Sequence, residues 1–204
     1  MKRQIWQMLT VTMAGCALAG CATAARSMST ENSAREHMTA PFAGSRAASC
    51  RPGVLTLAYG PRLSPMTGEH GVFYELINHG RAACTLAGYP HIRLYADGEA
   101  LPFRYIFGAG PYVTGKPPAT VTVNPGGAAW ILVAKYRCDQ GGLRDATTIS
   151  LTMPGVASAA LAGPVSRNDD GVSTLSYCRG SAADPGQTVA VSPIEPAPSA
   201  ASGL

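Results

Sequence analysis

The stretch from Asn124 to Tyr136, Asn-Pro-Gly-Gly-Ala-Ala-Trp-Ile-Leu-Val-Ala-Lys-Tyr, decides the fold. A Pro-Gly-Gly turn hands over to a run in which Trp130, Leu132, Ala134 and Tyr136 alternate with Ile131, Val133 and Lys135. Successive side chains of a strand point to opposite faces, so this period of two predicts a β-strand. The same pattern recurs on both sides. Leu55, Leu57 and Tyr59 alternate with Thr56 and Ala58, and Val72, Tyr74 and Leu76 with Phe73, Glu75 and Ile77. Ile92, Leu94 and Ala96 oppose His91, Arg93 and Tyr95, and Leu101, Phe103, Tyr105 and Phe107 share a face. Further short runs surround Val121, Ile149 to Met153, Leu175 to Tyr177 and Val189 to Val191. Gly, Pro, Asn or Asp bounds each one, as at Asp97-Gly98 and Asp169-Asp170-Gly171.

About nine short strands without intervening helices predict an all-β chain. The expected architecture is an antiparallel, immunoglobulin-like β-sandwich over residues 50–192. Parallel α/β folds need crossover helices, and the one helical candidate, Val156 to Leu161, is a single Gly-bounded turn at most.

The start of the chain has a different character. Lys2 and Arg3 precede a mostly apolar run from Ile5 to Leu18, which ends in Leu18-Ala19-Gly20-Cys21. A membrane span needs roughly 20 consecutive apolar residues, so the run reads as a cleaved export signal. It resembles a bacterial lipoprotein signal peptide over residues 1–20, with Cys21 as the lipid-bearing first mature residue. Cys16 is a weaker alternative, and an ordinary secretory cut near Ala22 to Ala25 is the competing reading. The implied address is the extracytoplasmic face of the cell membrane, with secretion as the alternative. Two or three acyl chains, at about 0.8 kcal/mol per buried CH₂, would anchor the chain stably. Residues 21–49 are small and polar and read as a flexible tether. The Pro-rich segment 193–204 reads as a disordered tail.

Two of the 16 basic residues lie in the charged start, which leaves 14 basic against 12 acidic residues once it is removed. That balance gives no support for nucleic-acid binding. Outside Cys16 and Cys21, four cysteines remain: Cys50, Cys84, Cys138 and Cys178. An even number in an oxidising compartment reads as two disulfides. A Cys₄ zinc site would bring short Cys-x₂-Cys pairs, and these are absent. Cys50 precedes the first strand and Cys84 follows the second, so antiparallel pairing brings them together. Cys138 follows the Trp130 strand, and Cys178 follows a strand returning to the same end. The expected bridges are Cys50–Cys84 and Cys138–Cys178.

Asn78-His79-Gly80, followed by Cys84-Thr85-Leu86-Ala87-Gly88-Tyr89-Pro90, resembles an actinobacterial envelope family called domain of unknown function forty-two thirty-two. Its pattern also includes a Cys at the domain start, a Pro-Gly-Gly-x-Ala element and a late Cys. Cys50, Pro125, Gly126, Gly127, Ala129 and Cys178 match these here. The resemblance implies a disulfide-bonded sandwich on secreted proteins and lipoproteins. It supplies no catalytic residue.

Candidate chemistry is sparse. No nucleophile elbow, metalloprotease helix, phosphate loop or dinucleotide fingerprint occurs, and no cofactor or metal is implied. His70 and His79 lie at opposite ends of one strand, about 30 Å apart at strand rise. Asp139 and Asp145 bracket Gly141-Gly142 in what reads as a solvated loop. Tyr112 and Lys116, in the flexible loop after the aromatic run Phe103–Phe107, form a candidate binding edge. The function expected is a non-enzymatic envelope binding module for a protein or glycan. A structural accessory without a ligand is the alternative, and a hydrolase using His91 or Asp139 comes last.

Overall fold

The computed structural model describes residues 47–63, 68–139, 141–156, 160–169, 171 and 173–204. The expected signal segment, Cys21 and most of the expected tether therefore lie outside the described residues. The chain runs through β1 (Leu55–Leu63), β2 (Glu69–Asn78), β3 (Cys84–Leu86), β4 (His91–Ala96), β5 (Glu99–Ala100), β6 (Arg104–Phe107) and β7 (Val121–Val123). There follow β8 (Ala128–Tyr136), β9 (Leu143–Arg144), β10 (Thr148–Thr152), β11 (Ala160–Pro164), β12 (Tyr177–Cys178), β13 (Thr188–Val191) and the single turn α1 (Pro198–Ala201). Among the described residues no helix is long and apolar enough to cross a membrane.

Two main sheets form the sandwich. One has the order β1-β2-β8-β13-β6, the other β11-β10-β4-β5, and two short ribbons, β12-β9 and β3-β7, join them. β8 sits at the centre of the larger sheet, paired with β2 from Ile77↔Ala128 to Glu69↔Tyr136. The core lies between the sheets. Val72, Tyr74, Leu76, Ile131 and Val133 of one face Ile92, Leu94, Ile149 and Leu151 of the other, all of them buried. One pair departs from the antiparallel expectation, because β13 and β6 run parallel.

Local chemistry explains the turns. Asp97 and Gly98 both take positive φ, 52° and 81°, as a two-residue hairpin between β4 and β5 requires. Asn78 is fully buried and its polar groups are satisfied. Its Oδ1 accepts from the Gly80 amide at 2.8 Å, and its Nδ2 donates to Ala82 O and Val123 O at 3.0 Å each. Its backbone accepts from Gly126 and donates to Gly127 O, locking the Pro-Gly-Gly turn to the end of β2.

Both disulfides form as expected. Cys50–Cys84 has its Cα atoms 4.8 Å apart and Cys138–Cys178 has them 5.4 Å apart. Bridges that close 34- and 40-residue separations contribute about 3–4 kcal/mol each in the chain-entropy model.

Three expectations are corrected. The end of the supposed tether is not loose, because Ser49 bridges Thr85 in parallel and Ala48 O accepts from the Thr85 amide at 2.9 Å. Residues 160–164 form strand β11 on the edge of the smaller sheet, where Gly163 packs directly against the Leu57 carbonyl. Ala, Gly and Pro carry little strand propensity, so register with β10 rather than composition holds it. Residues 193–204 are packed, not disordered. Ile194 and Ala201 are fully buried, Glu195 exchanges two backbone hydrogen bonds with Trp130, and Ser202 bridges Val113. The segment covers Phe73, Leu132 and Ala134 on the outer face of the larger sheet.

Truncation after Ser192 should therefore destabilise the chain by about 3 kcal/mol or more, the scale of burying Ile194 plus the uncovered ring and methyls. Urea denaturation checks this, and an unchanged midpoint would contradict the packing. The Tyr74 hydroxyl is buried without a hydrogen-bond partner among the described residues. Tyr74→Phe should consequently leave stability unchanged or raise it by about 1–2 kcal/mol, and a loss in the same assay would show that the hydroxyl has a partner.

Candidate functional site

β4 presents the period-two pattern in its plainest form. Ile92, Leu94 and Ala96 enter the core, while His91, Arg93 and Tyr95 point outward. In register beside them, β10 sets Ser150 opposite Arg93 and Thr152 opposite His91. On its other side β4 is paired with the two-residue β5 at Tyr95 and Ala96, and the Leu101 amide then donates to Leu94 O at 2.8 Å. The edge from His91 to Arg93 therefore looks across to β6. Between them runs a groove of about 860 Å³, with Arg93, Tyr95, Tyr105 and Phe107 among its lining residues.

The aromatic run divides its labour. Phe103 is buried and stands edge-on to Tyr177, with ring centroids 5.1 Å apart. Tyr105 is half-buried, and its hydroxyl accepts from the Leu94 amide at 3.1 Å, tying β6 to the open edge of β4. Burial pushes the Tyr105 phenol up, against the effect of that hydrogen bond. Phe107 does not share the core face expected of it. It is 39% exposed and lies edge-on to Tyr89 at 5.8 Å and to His91 at 6.1 Å. Gly108, at φ 63°, is required here because a Cβ would strike the Tyr89 hydroxyl.

The residues singled out from the sequence lie elsewhere or act differently. Tyr112 adopts φ 56°, its carbonyl accepts from Gly203 at 2.8 Å, and it packs against the cluster under the C-terminal segment. Lys116 is exposed, and its charge acts on Glu195, whose carboxyl is raised by burial and pulled back by that ammonium. Neither lines the groove. His91 does, whereas Asp139 follows the second disulfide and donates its amide to Asp184 Oδ2 at 3.1 Å. Asp145 accepts from Ser176 Oγ at 2.6 Å and sits 3.7 Å from Arg167, so it is engaged across the loops rather than with Asp139.

A second cavity, of about 620 Å³, opens at the β8 terminus and was not anticipated. Its lining includes Arg62, His70, Lys135 and Arg137. Lys135 is 2% exposed and follows Val133 on the inner face of β8. Its ammonium donates to Tyr136 O at 2.6 Å. Burial lowers it to about 8, partly opposed by the Asp184 carboxylate. His70, its cross-strand partner, is also lowered, by burial first and then by Lys135 and Arg137. Alternation alone marks Lys135 as inward-facing, which is the signal the sequence offered.

The structure is a disulfide-linked, mainly antiparallel β-sandwich with one concavity at its edge and another at its end. The chain belongs to the family described as domain of unknown function (DUF4232), whose model matches residues 50–195. No curated protein and no solved structure is significantly similar to it.

Lys135 makes stability depend on pH. Its folded value lies below the ordinary 10.5, so between about pH 8 and 10.5 the unfolded chain holds the extra proton. Stability contributed by this group therefore rises with pH across that window. Lys135→Met should be more stable than the parent by about 1–3 kcal/mol at pH 7. The gap should narrow towards pH 10.5. Chemical denaturation of both proteins at several pH values checks this, and a pH-independent difference would contradict it.

Proposed function

We propose that this chain is a non-enzymatic, lipid-anchored binding module of the cell envelope, which recognises a protein or glycan through the groove between β4 and β6. The observation that carries the reading is the groove itself, about 860 Å³ with rings and an arginine on its walls. Tyrosine and phenylalanine offer large rigid contact area at low entropic cost, and Arg93 adds a planar donor. The lining mixes these with Ser150 and Thr152 hydroxyls, which suit polar ligands such as sugars or an extended peptide.

The anchor half of the reading rests on Leu18-Ala19-Gly20-Cys21 behind Lys2 and Arg3. Two disulfides fit an extracytoplasmic address, since such bonds persist in oxidising compartments. Cys21→Ala should move the chain from the membrane fraction to the soluble fraction and abolish palmitate labelling; retention with label would reject Cys21 as the anchor.

For the groove, glycan arrays and peptide libraries probed with the full chain should yield a ligand. Tyr95→Ala or Arg93→Ala should weaken its binding by about 1–3 kcal/mol, while Lys116→Ala measures any share taken by the loop. Full affinity in both groove variants would overturn the assignment to β4 and β6.

A further inference from the structure

The end cavity has a charge pattern that neither sandwich packing nor the groove explains. Lys135 occupies an inner-face position that Val133 and Ile131 fill with hydrocarbon two and four residues earlier. An ammonium there gives up its hydration, and a buried cation is costly unless something offsets it. Its described partner is a single carbonyl, Tyr136 O, which uses one of three N–H donors. Asp184 acts on it from a distance, but that carboxylate already accepts from the Gly186 amide at 2.9 Å and the Asp139 amide at 3.1 Å.

The neighbours repeat the imbalance. His70 stands opposite Lys135 in the β2–β8 register. Arg137 lies along Gly68, its stem close enough that a Cβ there would be crowded at 3.2 Å, and it forms no ion pair with a described residue. Arg62 is turned by the Arg167 carbonyl at 2.6 Å and by Asp169 at 3.7 Å, where the aspartate is fully solvated. No Asp or Glu is among the described residues that line the cavity, where Ser176 donates away from it to Asp145 at 2.6 Å and Thr174 to Ser166 O at 3.0 Å. Three permanent or titratable cations and an imidazole converge on a space that admits a small polyatomic group.

We propose that this cavity binds a phosphate group, with Lys135 at its floor and Arg62, Arg137 and His70 around it. A phosphate dianion supplies the missing negative charge and has enough oxygens to take several charge-assisted hydrogen bonds at once. A carboxylate offers one charge and two oxygens, which leaves most of these donors unused. Free phosphate, a soluble phosphomonoester and a phospholipid headgroup share this chemistry. Because burial lowers Lys135 to about 8, affinity falls as pH rises from about 8 to 9.5, an interval in which phosphate is already the dianion. The charges facing it over that interval are Arg62 of β1, His70 and Glu69 of β2, Arg137 beyond β8, Asp184 before β13 and the Asp169 that holds Arg62. None of these is a group that ordinarily titrates there.

The test is calorimetric titration of the full chain with inorganic phosphate, and separately with dihexanoyl phosphatidic acid below its micelle concentration. Binding of either at pH 7 is expected, and preference between them identifies the source of the phosphate group. Lys135→Met should weaken it about tenfold or more while the protein becomes more stable, which separates loss of the site from loss of the fold. Arg137→Gln should weaken it comparably, and Arg81→Gln, beyond the opposite end of β2, should leave it unchanged. Absence of binding by both probes, undiminished binding in Lys135→Met, or equal affinity for acetate would overturn the proposal.

Discussion

Burial of β8 on both faces is the constraint from which the rest of this structure follows. A central antiparallel strand with one face in water would alternate apolar and polar residues, but Ile131 through Lys135 are all buried. The inner face of β8 needs the smaller sheet, and its outer face needs a cover that no third sheet provides. The C-terminal segment supplies it: Glu195 exchanges two backbone hydrogen bonds with Trp130 of β8, the Ile194 amide donates to Gly88 O, and Ala201 lies over Leu132 and Ala134. Small residues are what such a cover requires, because a bulkier segment could not approach the strand as closely. A one-residue slip of β8 would send Lys135 to the outer face and break the nine-residue ladder with β2.

The same constraint places charge in the interior. β8 continues its inner stripe past the end of the hydrocarbon core, so Lys135 sits where the sheets begin to part, with His70 across the ladder and Arg137 beyond it. The second disulfide closes beside them. Gly186 has no room for a Cβ against Cys178 and the Arg137 carbonyl, and Gln187 Nε2 donates to Cys178 O at 2.8 Å. The strand's geometry and this tight closure hold basic side chains around a rigid opening. In a looser loop they would spread into solvent.

The fold was largely legible because period two survives wherever one face is buried, as in β4, or where a turn has its own chemistry, as at Asp97-Gly98. Both disulfides followed from strand direction alone. What escaped was governed by tertiary packing. β11, Ala-Leu-Ala-Gly-Pro, has almost no local strand signal and exists because β10 offers it an edge. The C-terminal segment looks disordered by composition and is ordered by the face it covers. Phe107 departs from the core face of Leu101 and Phe103 because the run becomes a strand only at Arg104, on the edge of the larger sheet. Tyr112 and Lys116 looked like a binding edge because loop composition reveals exposure poorly. Tyr112 instead packs beneath the terminal segment.

The groove between β4 and β6 arises from a mismatch in strand lengths. β4 is six residues long and β5 only two, so the smaller sheet ends in a partly bare edge. Bare edges invite pairing with other chains. Here β6 stands across the gap instead of pairing, having joined the larger sheet in parallel with β13. The bond from the Leu94 amide to the Tyr105 hydroxyl bridges the two sheets at this gap. That spacing keeps the edge from closing on itself and lines the gap with side chains from both sheets. An extended ligand entering it would meet rings and Arg93 before reaching the backbone. In the proposed binding role, side-chain recognition would therefore dominate over strand addition, with selectivity set at Arg93, Tyr95 and Phe107.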